Sequence, residues 1–307
     1  MKSNPLAPNR ALLITLVLAL LSGFSAGSWA GDRAFKDAPD GQLHVYTRSG
    51  GQDRQLEMFF PPDHDPAGER VPGLILFHGG GWSGGSRDQF RATCAYFASR
   101  GLVTATADYR MLTRAEAGAL PDGHSRKRVC ATDAASAVLW LKANADRFGI
   151  DPDRIITGGG SAGGHISALA TLNPNLREPG GAADIDTSVV AYLWFNPAFS
   201  PDDKTDPEID VLPHLTADLP PAIVFFGTDD RWKNGWDAAH RRLRDLGVDT
   251  VDLRLAEGQP HGFFNRDPWW TICHIAADRF LVDLGLLQGV PSLTPPDDEA
   301  GLVVAEP

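Results

Sequence analysis

The sequence predicts an α/β fold: a mostly parallel sheet of about eight strands with helices on both faces. Three observations lead there. Apolar runs of strand length alternate with helical patterns from Leu74 to Leu286. Runs such as Gly73–His78 and Ala222–Phe226 are almost wholly apolar, as strands covered on both sides must be. The residues best suited to chemistry fall just past strand C-termini, where open parallel sheets gather their sites. The chain has 307 residues, 43% of them hydrophobic, enough for one large core.

The N-terminus reads as a targeting segment. Lys2 and Arg10 supply positive charge, and Ala11 to Leu21 is apolar apart from Thr15. Ser28-Trp29-Ala30 then puts small residues at the two positions a signal peptidase reads. Residues 1–30 are expected to be a signal peptide, cut before Gly31, which predicts a secreted or periplasmic protein. The apolar run is too short for a comfortable membrane span, so no stable membrane anchor is expected. Residues 31–290 are expected to form the single catalytic domain, and the Pro-rich, acidic residues 291–307 a loosely ordered tail.

Within the domain, Leu43–Thr47 and Gln55–Phe60 read as an antiparallel edge pair. Gly73–His78 is a buried strand, and Ser86–Arg100 a helix with Phe90, Cys94 and Phe97 on one side. Gly101 fits the C-cap of that helix. Leu102–Ala107 is the next strand, with Asp108-Tyr109-Arg110 at its end in a structural role. Residues 111–128 lack a clear period and read as a long loop. Val129–Phe148 is a helix, closed by Gly149-Ile150-Asp151-Pro152. Arg154–Thr157 is the strand before a glycine run, and Ile166–Leu172 the helix after it. Ser188–Phe195, Ala222–Phe226 and Thr250–Leu255 are further strands. Asp237–Leu246 and Trp269–Leu286 are further helices. The turn-rich residues 196–219 are a candidate second wall of a pocket, and either long loop could act as a lid.

The formal net charge of −11 argues against nucleic acid as a partner. Cys94, Cys130 and Cys273 are an odd set that cannot pair completely, and their spacing matches no metal site. No metal and no cofactor is expected. Oligomeric state leaves no signature in the chain.

Four features carry chemistry. Gly159-Gly160-Ser161-Ala162-Gly163 fits G-x-S-x-G, which sets a serine on a strained strand-to-helix turn. His78-Gly79-Gly80-Gly81 follows a buried strand, and its glycines can turn backbone N–H groups toward one point. Asp229 and Asp230 follow the strand Ala222–Phe226, where a carboxylate could orient a base. His261 lies on the loop after the strand Thr250–Leu255. A serine hydroxyl is a weak nucleophile at neutral pH and needs an adjacent base, here His261, to take its proton. The base would return that proton to a leaving alcohol. The N–H groups of Ala162, Gly80 and Gly81 would hold an oxyanion, with Gly79 also available. His78, at a strand end, suits a structural hydrogen bond. His44, His64, His124, His165, His214, His240 and His274 lack the strand-end context and read as structural or surface residues. His165 is close enough in sequence to Ser161 to pack near the site.

On these residues the chain resembles the H-G-G-G branch of the α/β-hydrolases, related to the hormone-sensitive-lipase-like esterases. It is most similar to secreted bacterial acetyl esterases of the BD-FAE (acetyl-xylan and feruloyl esterase) type. The resemblance covers most of residues 42–290. It rests on His78–Trp82, Asp108–Arg110, Gly158–Gly164, Phe226–Asp230 and His261–Asn265. It implies the α/β-hydrolase fold and a triad in the order Ser161, Asp230, His261. The family's acid motif reads H-G-T-x-D, and ungapped alignment puts its aspartate on Asp230. Phe226 in place of the motif's histidine, and Arg231-Trp232 after the acid, depart from the pattern. The implied substrate is a small ester or an acetylated carbohydrate.

Overall fold

The computed structural model describes residues 40–178, 185–201, 203–296 and 301–305, together with Met1, Phe35 and Asp37. The expected signal peptide lies outside the described residues, Met1 apart. Strands β1 (Gln42–Ser49) and β2 (Gln52–Phe59) pair antiparallel at one edge of the sheet. They are followed by β3 (Val71–Phe77), β4 (Val103–Ala107), β5 (Ile150–Gly160), β6 (Ala191–Phe195), β7 (Ala222–Gly227) and β8 (Val251–Ala256). Strands β3 to β8 run parallel, in the spatial order β4-β3-β5-β6-β7-β8. That order puts β5 at the centre, so a residue at its C-terminal end is flanked by loops from both halves of the sheet.

Among the described residues there are six helices: α1 (Arg91–Ser99), α2 (Arg114–Gly118), α3 (Arg126–Ala143), α4 (Ala162–Leu172), α5 (Lys233–Asp245) and α6 (Trp269–Asp283); all but the short α2, which buries no residue, pack on the sheet. Strand alternation sorts their packing into two cores. Ile75, Phe77, Ile155, Val224 and Phe226 face one way, against α3, α4 and α5. Leu74, Leu76, Ile156, Ile223 and Phe225 face the other, against α1 and α6. Both faces of β3 and β7 are buried, which is why their sequences are continuous rather than alternating in hydrophobicity, whereas β5 is buried on both faces only from Ile155 onward. Cys94, Cys130 and Cys273 are buried in these cores as free thiols. No helix among the described residues is long and apolar enough to cross a membrane.

The sheet departs from the expected count of strands. Leu302–Val304 forms β9, which pairs antiparallel with β8, so nine strands are described. This part of the tail is therefore an edge strand rather than a loose extension. Strand β5 also starts earlier than expected, because Ile150 and Asp151 pair with Val71 and Pro72 before the register shifts. Helix α5 starts at Lys233 rather than Asp237.

Residues 111–128 are more ordered than their composition implied. Thr113 and Glu116 make a reciprocal capping box for α2, and Ser125 caps α3 at Arg126. The second long loop is tied to this one. Asp206, wholly buried, accepts hydrogen bonds from the Ser125 N–H at 2.9 Å and its hydroxyl at 3.0 Å, and pairs with Arg128. Lys127 pairs with Asp203 at 3.0 Å. These contacts tie the start of α3 to residues 203–206 of the second segment. Asp108 and Arg110 act structurally, as expected. Asp108 accepts the Arg87 N–H at 2.9 Å, and Arg110 pairs with the buried Asp133 at 2.8 Å.

Candidate active site

Ser161 stands between β5 and α4 with φ 52° and ψ −117°, a conformation L-residues rarely adopt. Its backbone is held on both sides. The Ser161 N–H donates to the Phe195 carbonyl at 3.0 Å, and its own carbonyl accepts the Ala198 N–H at 2.9 Å. The glycine at 163 is a packing requirement. A Cβ there would lie 1.9 Å from the Phe77 carbonyl oxygen, so only glycine lets α4 start against the end of β3.

Three of the predicted residues meet in one hydrogen-bonded chain. The Ser161 Oγ lies 2.8 Å from His261 Nε2, and His261 Nδ1 lies 2.6 Å from Asp230 Oδ2. A carboxylate can only accept, so Nδ1 carries the proton and Nε2 presents its lone pair to the serine hydroxyl. Asp230 Oδ1 is occupied too, accepting the Trp232 N–H at 2.8 Å. The Asp230 side chain is completely buried, whereas Asp229 is exposed on the same turn. Of the two candidate acids, only Asp230 reaches the imidazole.

The glycine loop after β3 is shaped by its neighbours. His78 is buried, its Nδ1 lies 2.7 Å from the Gly79 carbonyl, and its ring stacks on Tyr109 at 4.3 Å. Burial lowers its pKa, which favours the neutral ring. This is the structural role expected of it. The Gly79 N–H donates to Gln89 Oε1 at 2.6 Å and so is not free for an oxyanion. That leaves Gly80 and Gly81, at φ +119° and +62°. A side chain at Gly80 would meet the Gly84 carbonyl oxygen at 2.0 Å. Ala162 is the first residue of α4, where N–H groups have no acceptor within the helix.

These groups open into a cleft of about 340 Å³, whose walls include Trp82, Trp232, Arg231 and Phe264. Trp82 and Trp232 meet edge to face at 6.0 Å, and Trp232 lies 6.3 Å from the His261 ring. His165 packs near the site as expected. It is buried, edge-on to Trp82 at 5.4 Å, with Nε2 2.8 Å from the Ile209 carbonyl. Burial pushes its pKa down to about 4. No cluster of three or more metal-ligating side chains is found among the described residues.

Three residues at the site escaped the sequence reading. Buried Asn196, at φ 42°, accepts the Gly262 N–H at 3.1 Å and so holds the loop that carries His261. Its place directly after β6 was the available signal. Asn265, within the His261–Asn265 motif, donates to the Gly262 carbonyl at 3.0 Å. Gln89 sits in a short 3-10 turn (Arg87–Phe90) with no motif around it.

A serine on a strained turn after the central strand, with acid and base arriving from later strands in that order, defines the α/β-hydrolase fold and its site. A family model described as BD-FAE matches residues 56–199. Esterase 2 of Thermogutta terrifontis, solved in its apo form, superposes with a TM-score of 0.73 at 32% identity, over 82% of this chain and 97% of that one. The chain belongs to the α/β-hydrolase esterases of the BD-FAE type. Among curated relatives, the probable carboxylic ester hydrolase LipM of Mycobacterium tuberculosis is 30% identical, over 59% of this chain and 46% of LipM. The carboxylesterase NlhH of the same species is 28% identical, over 71% of each chain. The match thus spans less than half the length of LipM.

Proposed function

We propose that the protein is a serine carboxylic-ester hydrolase, secreted or periplasmic, that deacetylates carbohydrate esters of the xylan type. The observation that carries the catalytic part is the unbroken chain from Ser161 through His261 to buried Asp230. In this reading Ser161 Oγ attacks the ester carbonyl carbon as its proton passes to His261 Nε2. The oxyanion is held by the N–H groups of Gly80, Gly81 and Ala162, where loss of one donor typically costs about 3 kcal/mol of transition-state stabilisation. The bond to the leaving oxygen then breaks, and His261 returns the proton to the alcohol. Water repeats the sequence on the acyl-enzyme and releases the acid. Asp230 keeps the imidazole in the required tautomer without taking its proton.

The carbohydrate part is supported by the BD-FAE match and by the partly exposed Trp232 on the cleft wall, whose apolar ring suits a sugar. The extracellular part rests on the N-terminal pattern of charge, apolar run and small residues. A second reading, a generalist short-chain carboxylesterase, draws support from the T. terrifontis enzyme, which has been solved with propionate and with butyrate bound. Released acid from acetylated and feruloylated xylans, set beside turnover of p-nitrophenyl acetate, separates the two. Efficient release from acetylated xylan supports the first reading. Turnover of the nitrophenyl ester alone supports the second.

A further inference from the structure

We propose that Gln89 is a positioning residue that clamps the oxyanion loop to the histidine loop; this rests on the serine-esterase reading above. Gln89 belongs to neither loop, yet both ends of its amide are engaged between them. Oε1 accepts the Gly79 N–H at 2.6 Å, and Nε2 donates to Asn265 Oδ1 at 2.9 Å. Asn265 Nδ2 in turn donates to the carbonyl of Gly262, the residue after His261, at 3.0 Å. Three hydrogen bonds therefore run without a break from the glycine loop to the histidine loop. The clamp also lies beside the serine turn: a Cβ added at Gly160 would come 3.4 Å from Gln89 Nε2.

The glycine loop needs such a restraint. Gly79, Gly80 and Gly81 have no side chains to lock them, and two of the three sit at positive φ, so the free loop has many accessible conformations. An oxyanion hole works only when its donors are aimed at the developing charge in advance. Fixing the Gly79 peptide through Gln89 sets the direction from which Gly80 and Gly81 present their N–H groups. The amide has one accepting and one donating end, so it satisfies Gly79 and Asn265 in a single orientation. Both partners line the cleft, so the clamp forms part of its wall while standing outside the Ser161–His261–Asp230 chain.

The test compares Gln89→Met, Gln89→Glu, Asn265→Ala and the Gln89→Met/Asn265→Ala double variant. Four quantities are read: kcat and KM on p-nitrophenyl acetate, Ki for a trifluoromethyl ketone that forms a tetrahedral oxyanion on serine, and Tm. Gln89→Met removes both bonds at similar length. We expect its kcat to fall about 10- to 100-fold, KM to stay within about threefold, and Ki to rise in step with the loss of kcat, at nearly unchanged Tm. Gln89→Glu keeps an acceptor for Gly79 but faces Asn265 with a carboxylate, and should fall between. The double variant should lose no more than Gln89→Met, because both changes break one chain. A Gln89→Met enzyme with kcat and Ki within about twofold of wild type would overturn the proposal, as would losses that multiply in the double variant. A Ser161→Ala control separates the two layers. Turnover surviving in that control sinks the reading of Ser161 as the nucleophile, whatever Gln89 does.

Discussion

Replacing Asp230 with Asn changes one oxygen to an amide nitrogen at a site where both carboxylate oxygens are in use. Oδ2 accepts from His261 Nδ1 at 2.6 Å, and Oδ1 accepts from the Trp232 N–H at 2.8 Å. An asparagine offers one acceptor for these two donors. If its oxygen stays with the Trp232 N–H, its NH2 faces Nδ1 and drives the proton to Nε2. The imidazole then has no lone pair for the Ser161 hydroxyl, 2.8 Å away. If the amide turns round, its NH2 meets the Trp232 N–H inside a buried pocket. The second orientation would keep the tautomer but sets two donors against each other where water cannot reach them, so the first prevails and removes the base; the expected loss in kcat is about 10⁴-fold, or about 5 kcal/mol of transition-state stabilisation. Asp229 is exposed on the same turn and does not reach the imidazole, so Asp229→Asn should stay within about twofold of wild type. Initial rates on p-nitrophenyl acetate measure both. An Asp230→Asn enzyme that keeps a tenth of wild-type kcat would refute the tautomer argument. A collapse in Asp229→Asn with Asp230→Asn active would move the acid by one residue.

Two further outcomes follow from burial. Asp206→Ala should lower stability by about 3 kcal/mol, because Arg128 loses its partner and the two long segments lose their join. Thermal melting reads this as a fall in Tm of several degrees, and an unchanged Tm would show that the join contributes nothing. His165 is held neutral, with its pKa lowered from 6.5 to about 4 by burial. Between those values the unfolded chain binds the extra proton and the folded chain does not. The contribution is therefore whole above pH 6.5 and is lost as pH falls toward 4, by up to about 3 kcal/mol. Urea midpoints at pH 7 and pH 4.5 should differ less in His165→Gln than in wild type; equal differences would count against the assignment.

The fold was legible where hydrophobic pattern and local chemistry agree. Strands β3 and β7 are buried on both faces, so their sequences announce themselves as continuous apolar runs. Ser161 and His261 were legible because a glycine-flanked turn and a strand-end loop leave local marks. The acid needed the family alignment, since only side-chain burial distinguishes Asp230 from Asp229. Other features were invisible for a common reason: they depend on partners far away in sequence. Gln89 lies 176 residues from Asn265. Leu302–Val304 becomes a strand only because β8 offers an open edge. The tie between Asp206 and Ser125 spans 81 residues, so two polar segments that read as loops turn out to be joined.

The central claim is that Ser161 is the nucleophile of an ester hydrolase, and one measurement addresses it most directly. The T. terrifontis esterase has been solved phosphorylated by paraoxon. Intact-mass and peptide mass spectrometry of this protein after paraoxon treatment, with residual esterase activity read in parallel, should show a single phosphoryl adduct on Ser161. Activity should disappear as the adduct forms, and Ser161→Ala should take up no label and hydrolyse no ester. An adduct on another residue, or ester turnover that persists in Ser161→Ala, would contradict the account.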